Sequence, residues 1–397
     1  MDPLRLITAG ESHGPGLTCL VEGLPAGLTL DLEAINRDMA RRQLGHGRGG
    51  RMKIERDAAE VTAGVRHGRT MGGPIALQVA NRDYRNWAER MSPWPVEAAV
   101  EEVHLPRPGH ADLAGTQKYN LTDVRNVLER ASARETAARV AGGAICKEFL
   151  RALGVAIVSH VVQIGTVHAP AYPEPLGPED FAGVDESPVR CLDGEASRRM
   201  VEHINIQRKA NESLGGVFEV RAFGLIPGLG SHVSWEERLD GRLAGALCSI
   251  QAIKGVGLGE GFELAGKPGS RAHDEIFHSP ERGFYRVTNH AGGLEGGMTT
   301  GDPVIARAAM KPLPTLTKPL RSVDIATLAP GEALRERTDS CTVPAAGVVG
   351  EAMVAYVLAQ AYRQKLGGDH IDDVLGALAA YRERIGAAPV AGRAADR

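Results

Sequence analysis

The sequence predicts an α+β fold, a single-domain β–α–β sandwich with an internal duplication, over residues 1–385, followed by a flexible tail at 386–397. Three observations carry that expectation. "GLPAGL" at 23–28 resembles "GLIPGL" at 224–229, and each precedes an amphipathic helical pattern, "DLEAINRDMARR" and "SWEERLDGRLAGAL". "GRTMGGPIAL" from Gly68 matches "GMTTGDPVIA" from Gly297 as G-x-T-x-G-x-P-[IV]. Each half then closes on a long helical pattern, "SARETAARVAGGAICKEFL" from Ser132 and "PAAGVVGEAMVAYVLAQAYRQKL" from Pro344. Collinear order in both halves marks repeats at approximately 1–155 and 215–368. Two such units form similar layers around one core, rather than a nucleotide domain joined to a substrate domain. The stretch 165–200, rich in Pro, Glu and Asp, reads as a surface excursion.

Composition narrows the function. Lys and Arg total 46 against 49 Asp and Glu, a formal charge of −3, so no global polycation exists to hold nucleic acid or an anionic membrane. Any anion site must be a local cluster. The chain lacks a run of eighteen apolar residues and begins without the pattern of a signal peptide, which predicts a cytoplasmic, soluble protein. Its five scattered cysteines include no C-x-x-C pair and argue against a disulfide frame or zinc site. The 49 glycines gather in blocks beside charged and hydroxyl residues, as in loops where backbone approaches a bound polyanion.

Taken in order, the apolar "LRLI" runs into "TAGESHGPG", Thr8 to Gly16, and reads as a strand feeding a tight loop that presents Ser12 and His13. The plain alternative is a turn with two exposed polar side chains. "RRQLGHGRGGR", Arg41 to Arg51, contains G-x-G-x-x-G, but in the order helix, loop, strand-like "MKIERD", which excludes a Rossmann site. What remains is a glycine loop carrying Arg42, Arg48 and Arg51, whose guanidinium forks suit phosphate and carboxylate oxygens. "HLPRPGHADLAGTQKY" repeats the opening composition, with Arg107 and His110 around a Pro-Gly turn. Imidazole exchanges protons near neutral pH, so both histidines are candidates for acid–base work.

"RASARETAARVAGGA" opens a helix, and Ser132 with Glu135 has the spacing of a capping box. A helix start flanked by Arg130 and Arg134 also suits an anion, and Gly142 and Gly143 permit close helix packing. In the second half, "KPLPT" (Lys311 to Thr315) and "RTDSC" (Arg337 to Cys341) again place cations and hydroxyls in turns. Asp339, just ahead of Pro344, suits the first turn of a helix, with Arg337 keeping it ionised.

These stretches resemble the chorismate synthase family. The resemblance runs through "GESHGPG", "RRQLGHGRGGRMKIERD", "GVRHGRTMGGPIAL", "HLPRPGHADLAG", "DVRNVLERASARETAARVAGGAI", "IQAIKGVGLGEGF", "AGGLEGGMTTGDP", "KPLPTL" and "RTDSC", in that order. Thr338 stands where serine is commoner, and the length resembles the bacterial type without fungal insertions. The resemblance implies an anti 1,4-elimination of phosphate from 5-enolpyruvylshikimate 3-phosphate, giving chorismate. It also implies a requirement for reduced FMN without net redox change. Two phosphates and two carboxylates then share one pocket, which explains the need for several arginines.

By the same resemblance, His13 would give a proton to the leaving phosphate with Ser12 beside it, and His110 would protonate or electrostatically steady the reduced flavin. Asp339, with Ser132, would relay the proton taken up by flavin N5. Arg51, Arg107, Arg134 and Arg337 would hold the substrate's anionic groups. The flavin contacts would be Arg130, Ala131 and Ser132, then Gln251 and Ala252, and Gly296. Lys311, Pro312, Leu313, Pro314 and Thr315 would complete them, with Arg337. Arg42 and Arg48 match positions associated with NADPH, as an indirect reductant, and a separate flavin reductase system would supply the reduced cofactor. A homotetramer is implied, with no nucleic acid and no membrane partner. Two alternatives stand beside this reading: an NAD(P)H-dependent flavin reductase, and an RNA-binding protein using the 37–56 arginine cluster.

Overall fold

Alternating apolar and polar residues in the first strands turn one face of a sheet inward. The computed structural model describes residues 4–49, 56–172, 174–334 and 339–386. The first half supplies β1 (Arg5–Ala9), β2 (Gly16–Glu22), helix α1 (Leu32–Gln43), β3 (Glu60–Ala63) and β4 (Ile75–Ala80). These strands form an antiparallel sheet in the order β1-β2-β4-β3. Leu17, Cys19 and Val21 of β2 and Ile75, Leu77 and Val79 of β4 are its buried row.

Helices α2 (Asp112–Tyr119), α3 (Arg125–Ala131) and α4 (Thr136–Ala152) lead into the second sheet. Its strands are β5 (Ala156–Ile164), β6 (Val167–His168), β7 (Gly216–Phe223), β8 (Ile253–Leu258) and β9 (Val304–Met310). They pair antiparallel in the order β8-β9-β7-β5-β6. Helices α5 (Gly194–Lys209) and α6 (Leu239–Cys248) lie between these strands in sequence, and α7 (Val343–Leu366) and α8 (Ile371–Ile385) close the described chain.

Helix α4 packs on β1, β2 and β4, α7 packs on β5 and β7, and the two helices pack on each other. Both predicted glycines serve these contacts: a Cβ on Gly142 would overlap Cys19 and Leu6, and one on Gly143 would overlap Ala352. Covered on every side, α7 reads as apolar all round. It is long and apolar enough to cross a membrane, but 94% of its most apolar window is buried inside the protein.

One charge lies inside this layer. Glu351 of α7, fully buried, accepts from Arg41 of α1 (2.8 Å to each oxygen), Lys147 of α4 (2.8 Å), Ser159 of β5 (2.7 Å) and Arg190 (3.2 Å). Burial pushes its carboxyl up, but the three cations outweigh burial and hold it well below the ordinary glutamate value.

The repeated sequence signals form the same local structure. Thr70 Oγ1 donates to Pro25 O (2.6 Å) and accepts from Leu28 N–H (3.0 Å). Its backbone bonds Leu28 O and Gly27 N–H. Thr299 Oγ1 likewise donates to Ile226 O (2.7 Å) and accepts from Leu229 N–H (2.9 Å), with backbone bonds to Leu229 O and Gly228 N–H. Gly27 and Gly228 hold matching positive φ, 80° and 78°, where a side chain would strain the turn. Thr70→Val and Thr299→Val each strand a buried N–H and a buried carbonyl, and each should cost about 1–3 kcal/mol in urea unfolding. A loss below about 0.5 kcal/mol in both would show that the threonines are not structural ties.

Two expectations change. The 165–200 stretch is more than a surface excursion: Phe181, Val189 and Cys191 are buried, and Glu174 pairs with Arg221 over the side of the second sheet that faces away from the helices. The helix expected from Ser132 begins as a 3-10 turn, Ala133–Glu135, with α4 following at Thr136. Strand-like "MKIERD" and the tail lie largely outside the described residues; Arg56 and Asp57, which are described, are irregular.

Candidate active site

The loop after β1 is not an exposed turn. Ser12 is 3% exposed, and its backbone N–H donates to Glu129 O of α3 (3.0 Å). His13 donates its backbone N–H to Glu129 Oε2 (2.8 Å), and its ring Nδ1 lies 2.9 Å from Glu129 Oε1. Arg125, one helical turn before Glu129, donates to the same oxygen at 3.0 Å. Burial raises the Glu129 carboxyl, but bonding to His13 and the Arg125 charge leave it below its ordinary value. Trp87 stacks on the His13 ring, with centroids 4.0 Å apart and planes 26° from parallel.

Ser132 Oγ donates to Ser12 Oγ (3.2 Å) and accepts from Arg134 N–H (3.3 Å), an N-cap of the 3-10 turn. The capping box is not formed, because Glu135 turns away to Thr8 (2.5 Å), Arg139 (2.9 Å) and Gln251 (3.2 Å). Arg130 donates to Thr8 O (2.9 Å) and Gly10 O (3.2 Å), tying α3 to the same loop. Ala131 ends α3 beside it.

Asp57 is the hub of the arginines. It accepts from Arg134 (2.5 Å) and Arg42 (3.2 Å) and is itself buried. Arg134 also holds Asn81 (2.9 Å), whose amide donates to Glu11 O and Gly14 O and so braces the histidine loop. Arg42, expected at NADPH, is 5% exposed and bonds Thr136 (3.0 Å) and Ala133 O (3.0 Å) as well. Burial and the charges of Arg134 and Arg48 pull its guanidinium down to about 9, opposed by Asp57; it stays charged at neutral pH.

Asp339 is not in a helical turn: α7 starts at Val343, and the Asp339 carboxylate accepts from Gly49 N–H (2.5 Å) and pairs with Arg48 (3.2 Å). It thereby joins the glycine loop of the first half to the approach to α7.

Around His110 a second carboxylate acts as Glu129 does around His13. Asp112, fully buried, accepts from His110 Nδ1 (2.5 Å), from Arg107 Nε (2.8 Å) and from the Arg107 backbone N–H (3.0 Å). Burial opposes ionisation, but the His110 and Arg107 bonds hold the carboxyl well below its usual range. Arg107 reaches Thr315 (3.3 Å), and Lys311 Nζ donates to Gly109 O (3.0 Å). Leu313 O accepts from Ser213, and Pro314 lies against Gly109. Lys311 N–H donates to Ala252 O (2.9 Å), adjacent to Gln251, which bonds Glu135. A continuous path of bonded residues thus runs from the His13 loop to the His110 loop through the second half.

Arg51 and Arg337 lie outside the described residues, and Gly296 sits in a separate hairpin turn at φ 59°. Sequence reasoning gave Glu135 a different partner and missed Asp57, Trp87, Asp112 and Glu129, which aim the predicted groups. Only Asp112, two residues after His110, carried a local signal. A cavity of about 590 Å³ opens near Tyr172, Ser187 and Cys191 and is lined by none of the candidate residues; polar geometry marks this site, not enclosed volume.

The RNA-binding alternative is not supported. Arg41, Arg42 and Arg48 are largely buried and pair with Glu351, Asp57 and Asp339 respectively, so their charge is spent within the fold, while Arg37 stays exposed beside Asp31. A family model described as "Chorismate synthase" matches residues 4–362. A chorismate synthase of Desulforudis audaxviator is 55% identical over 96% of this chain and 98% of its own. One from Moorella thermoacetica is 56% identical over 96% and 99%. A solved structure titled "Crystal Structure of Chorismate Synthase" superposes with a TM-score of 0.77 at 42% identity, covering 96% of this chain and 98% of that one. These relatives give no support to a flavin reductase either. The chain belongs to the chorismate synthase family and is a lyase of that activity.

Proposed function

We propose that the site eliminates phosphate from 5-enolpyruvylshikimate 3-phosphate in the anti 1,4 sense to give chorismate, the last step of the shikimate pathway. The observation that carries the residue assignments is the bonded path through both halves. It links the loops of two carboxylate-held histidines and runs beside the cations Arg107 and Lys311, which supports a shared site.

The residues fit a reduced flavin. Gln251 Oε1 is a buried acceptor without a hydrogen-bond partner, Ala252 is held at φ 68°, and a Cβ on Gly296 would meet nothing within 4 Å. Arg130 and Lys311 are cations suited to its phosphate. When bound, reduced FMN supplies electron density to the substrate ring as phosphate departs, with no net redox change.

The chain's own groups do the rest. His13 gives a proton to the leaving phosphate, and Ser12 and Ser132 keep the loop in place. His110 would steady the charge of the reduced cofactor, and Asp339, with Ser132, would help relay the proton that leaves the ring. Arg107 and Arg134, each tethered to a buried aspartate, meet the substrate's anions without swinging away, with Arg51 and Arg337 as further candidates. Arg48 with Asp339 orders the glycine loop, and Arg42 adds charge from behind Arg134. NADPH acts as an indirect reductant through a separate flavin reductase, and the chain works as a cytoplasmic homotetramer.

A two-fold origin accompanies this reading: the matched threonine ties and the same strand order in both halves support an internal duplication forming the sandwich over 1–385. Oxygen-free incubation with the substrate and chemically reduced FMN should release chorismate and phosphate in equal amounts. Phosphate without chorismate, or neither product, would overturn the reading.

A further inference from the structure

His13 sits between two groups that no part of the established activity accounts for. One is Glu129, whose side chain is 1% exposed and whose two oxygens lie 2.9 and 3.0 Å from His13 Nδ1. The backbone N–H of His13 donates to the same carboxylate, so loop and ring are fixed by one side chain. The other is Trp87, which covers a face of the imidazole at 4.0 Å. Trp87 is itself held by donation of its Nε1–H to Asp83 (3.2 Å), and the Arg125 guanidinium lies 5.1 Å from its ring.

An ionised carboxylate only accepts, so in the neutral ring the bond places the hydrogen on Nδ1, which leaves Nε2 as the nitrogen that exchanges a proton. Charged groups near this assembly include Glu129 and Arg125 from α3, with Asp83 and Arg90 from the segment that carries Trp87. Arg125 neutralises part of Glu129 but bonds the carboxylate, not the ring.

We propose that Glu129 is a positioning residue of the reaction that acts through His13, fixing its tautomer and orientation, with Trp87 as the wall that holds the ring in plane. This rests on the role of His13 as proton donor. In that step the His13 Nε2–H bond breaks and its proton passes to a phosphate oxygen. The substrate C–O bond breaks with its electron pair going to the phosphate, and the electrons of the ring C–H bond form the new ring double bond as that proton leaves. The ring is left neutral with Nδ1–H still donated to Glu129, and solvent restores the proton.

Glu129→Gln keeps an acceptor for the backbone N–H and removes the charge. The amide also presents a donor to Nδ1 and so favours the wrong tautomer; with saturating chemically reduced FMN under nitrogen, kcat should fall by at least about tenfold. The KM for substrate should stay within about twofold, and Glu129→Asp should return part of the lost turnover. Trp87→Leu should lower kcat, and Trp87→Phe should recover most of it. A Glu129→Gln kcat equal to wild type, with His13→Ala inactive, overturns the positioning role and leaves the role of His13 standing. His13→Ala at the wild-type rate instead removes the premise. Should the glutamine variant fail to fold, ¹⁵N spectra of the wild-type imidazoles decide: the neutral His13 ring must carry its proton on Nδ1, and a proton on Nε2 overturns the proposal.

Discussion

Alanine at His13 or at His110 lowers turnover by about two to four orders of magnitude at neutral pH, the range that a positioned acid or base contributes. Both side chains are largely buried at the ends of loops but lie outside the apolar core, so each variant should melt cooperatively near the wild-type temperature. The two losses have different origins. Without His13, phosphate departs with no proton from the loop, and Glu129 keeps only Arg125 as its charged partner. Without His110, Asp112 still binds Arg107 through three donors, so the arginine stays placed and only the imidazole is lost. Chorismate formation is the measurement, at saturating reduced FMN without oxygen. Wild-type rates in both variants would refute both assignments.

Glu351→Ala has the largest expected effect on stability. It leaves Arg41, Lys147 and Arg190 in the helix layer without the carboxylate common to all three, and breaking a buried ion network by removing one member costs about 3–5 kcal/mol. Asp38 still pairs with Arg41 and Lys147, and Asp185 with Arg41 and Arg190, which softens the loss, but neither meets all three cations. The pH dependence follows from the direction of the shift. The native carboxyl is held below its ordinary value of 4.5, so its stabilisation is complete above that pH and is lost as pH falls through the lower native value. The gap between wild type and Glu351→Gln in urea unfolding should therefore be constant from pH 6 to 8 and shrink only below about 4.5. A gap below about 1 kcal/mol at pH 7, or one that widens in acid, would show that the network is not a net tie.

The loops were legible in the sequence because chemistry and backbone signal coincide there: histidine or arginine beside glycine and proline. "GLPAGL" and "GRTMGGPI" predicted each other's partner in the second half, and the threonine bonds show why both texts persist together. The carboxylates were not legible. Asp57 meets Arg134 across 77 positions and Glu129 meets His13 across 116, and nothing local distinguishes them from solvated acids. The same blindness hid the burial of Arg41 and Arg48, whose acids Glu351 and Asp339 arrive from the far end of the chain. Ser132 and Glu135 have the spacing of a box, but Arg139 and Gln251 offer the glutamate stronger partners than a backbone amide does.

The pairing of α4 with α7 has a consequence for biosynthesis. The apolar flank of α4 around Gly143 emerges from the ribosome early, while the helix that covers it begins roughly 190 residues later. At ordinary rates of translation this flank waits on the order of ten to forty seconds for its cover. During that interval the nascent chain presents a greasy, half-finished slab, so its yield in a cell depends on chaperone capacity more than its final stability suggests.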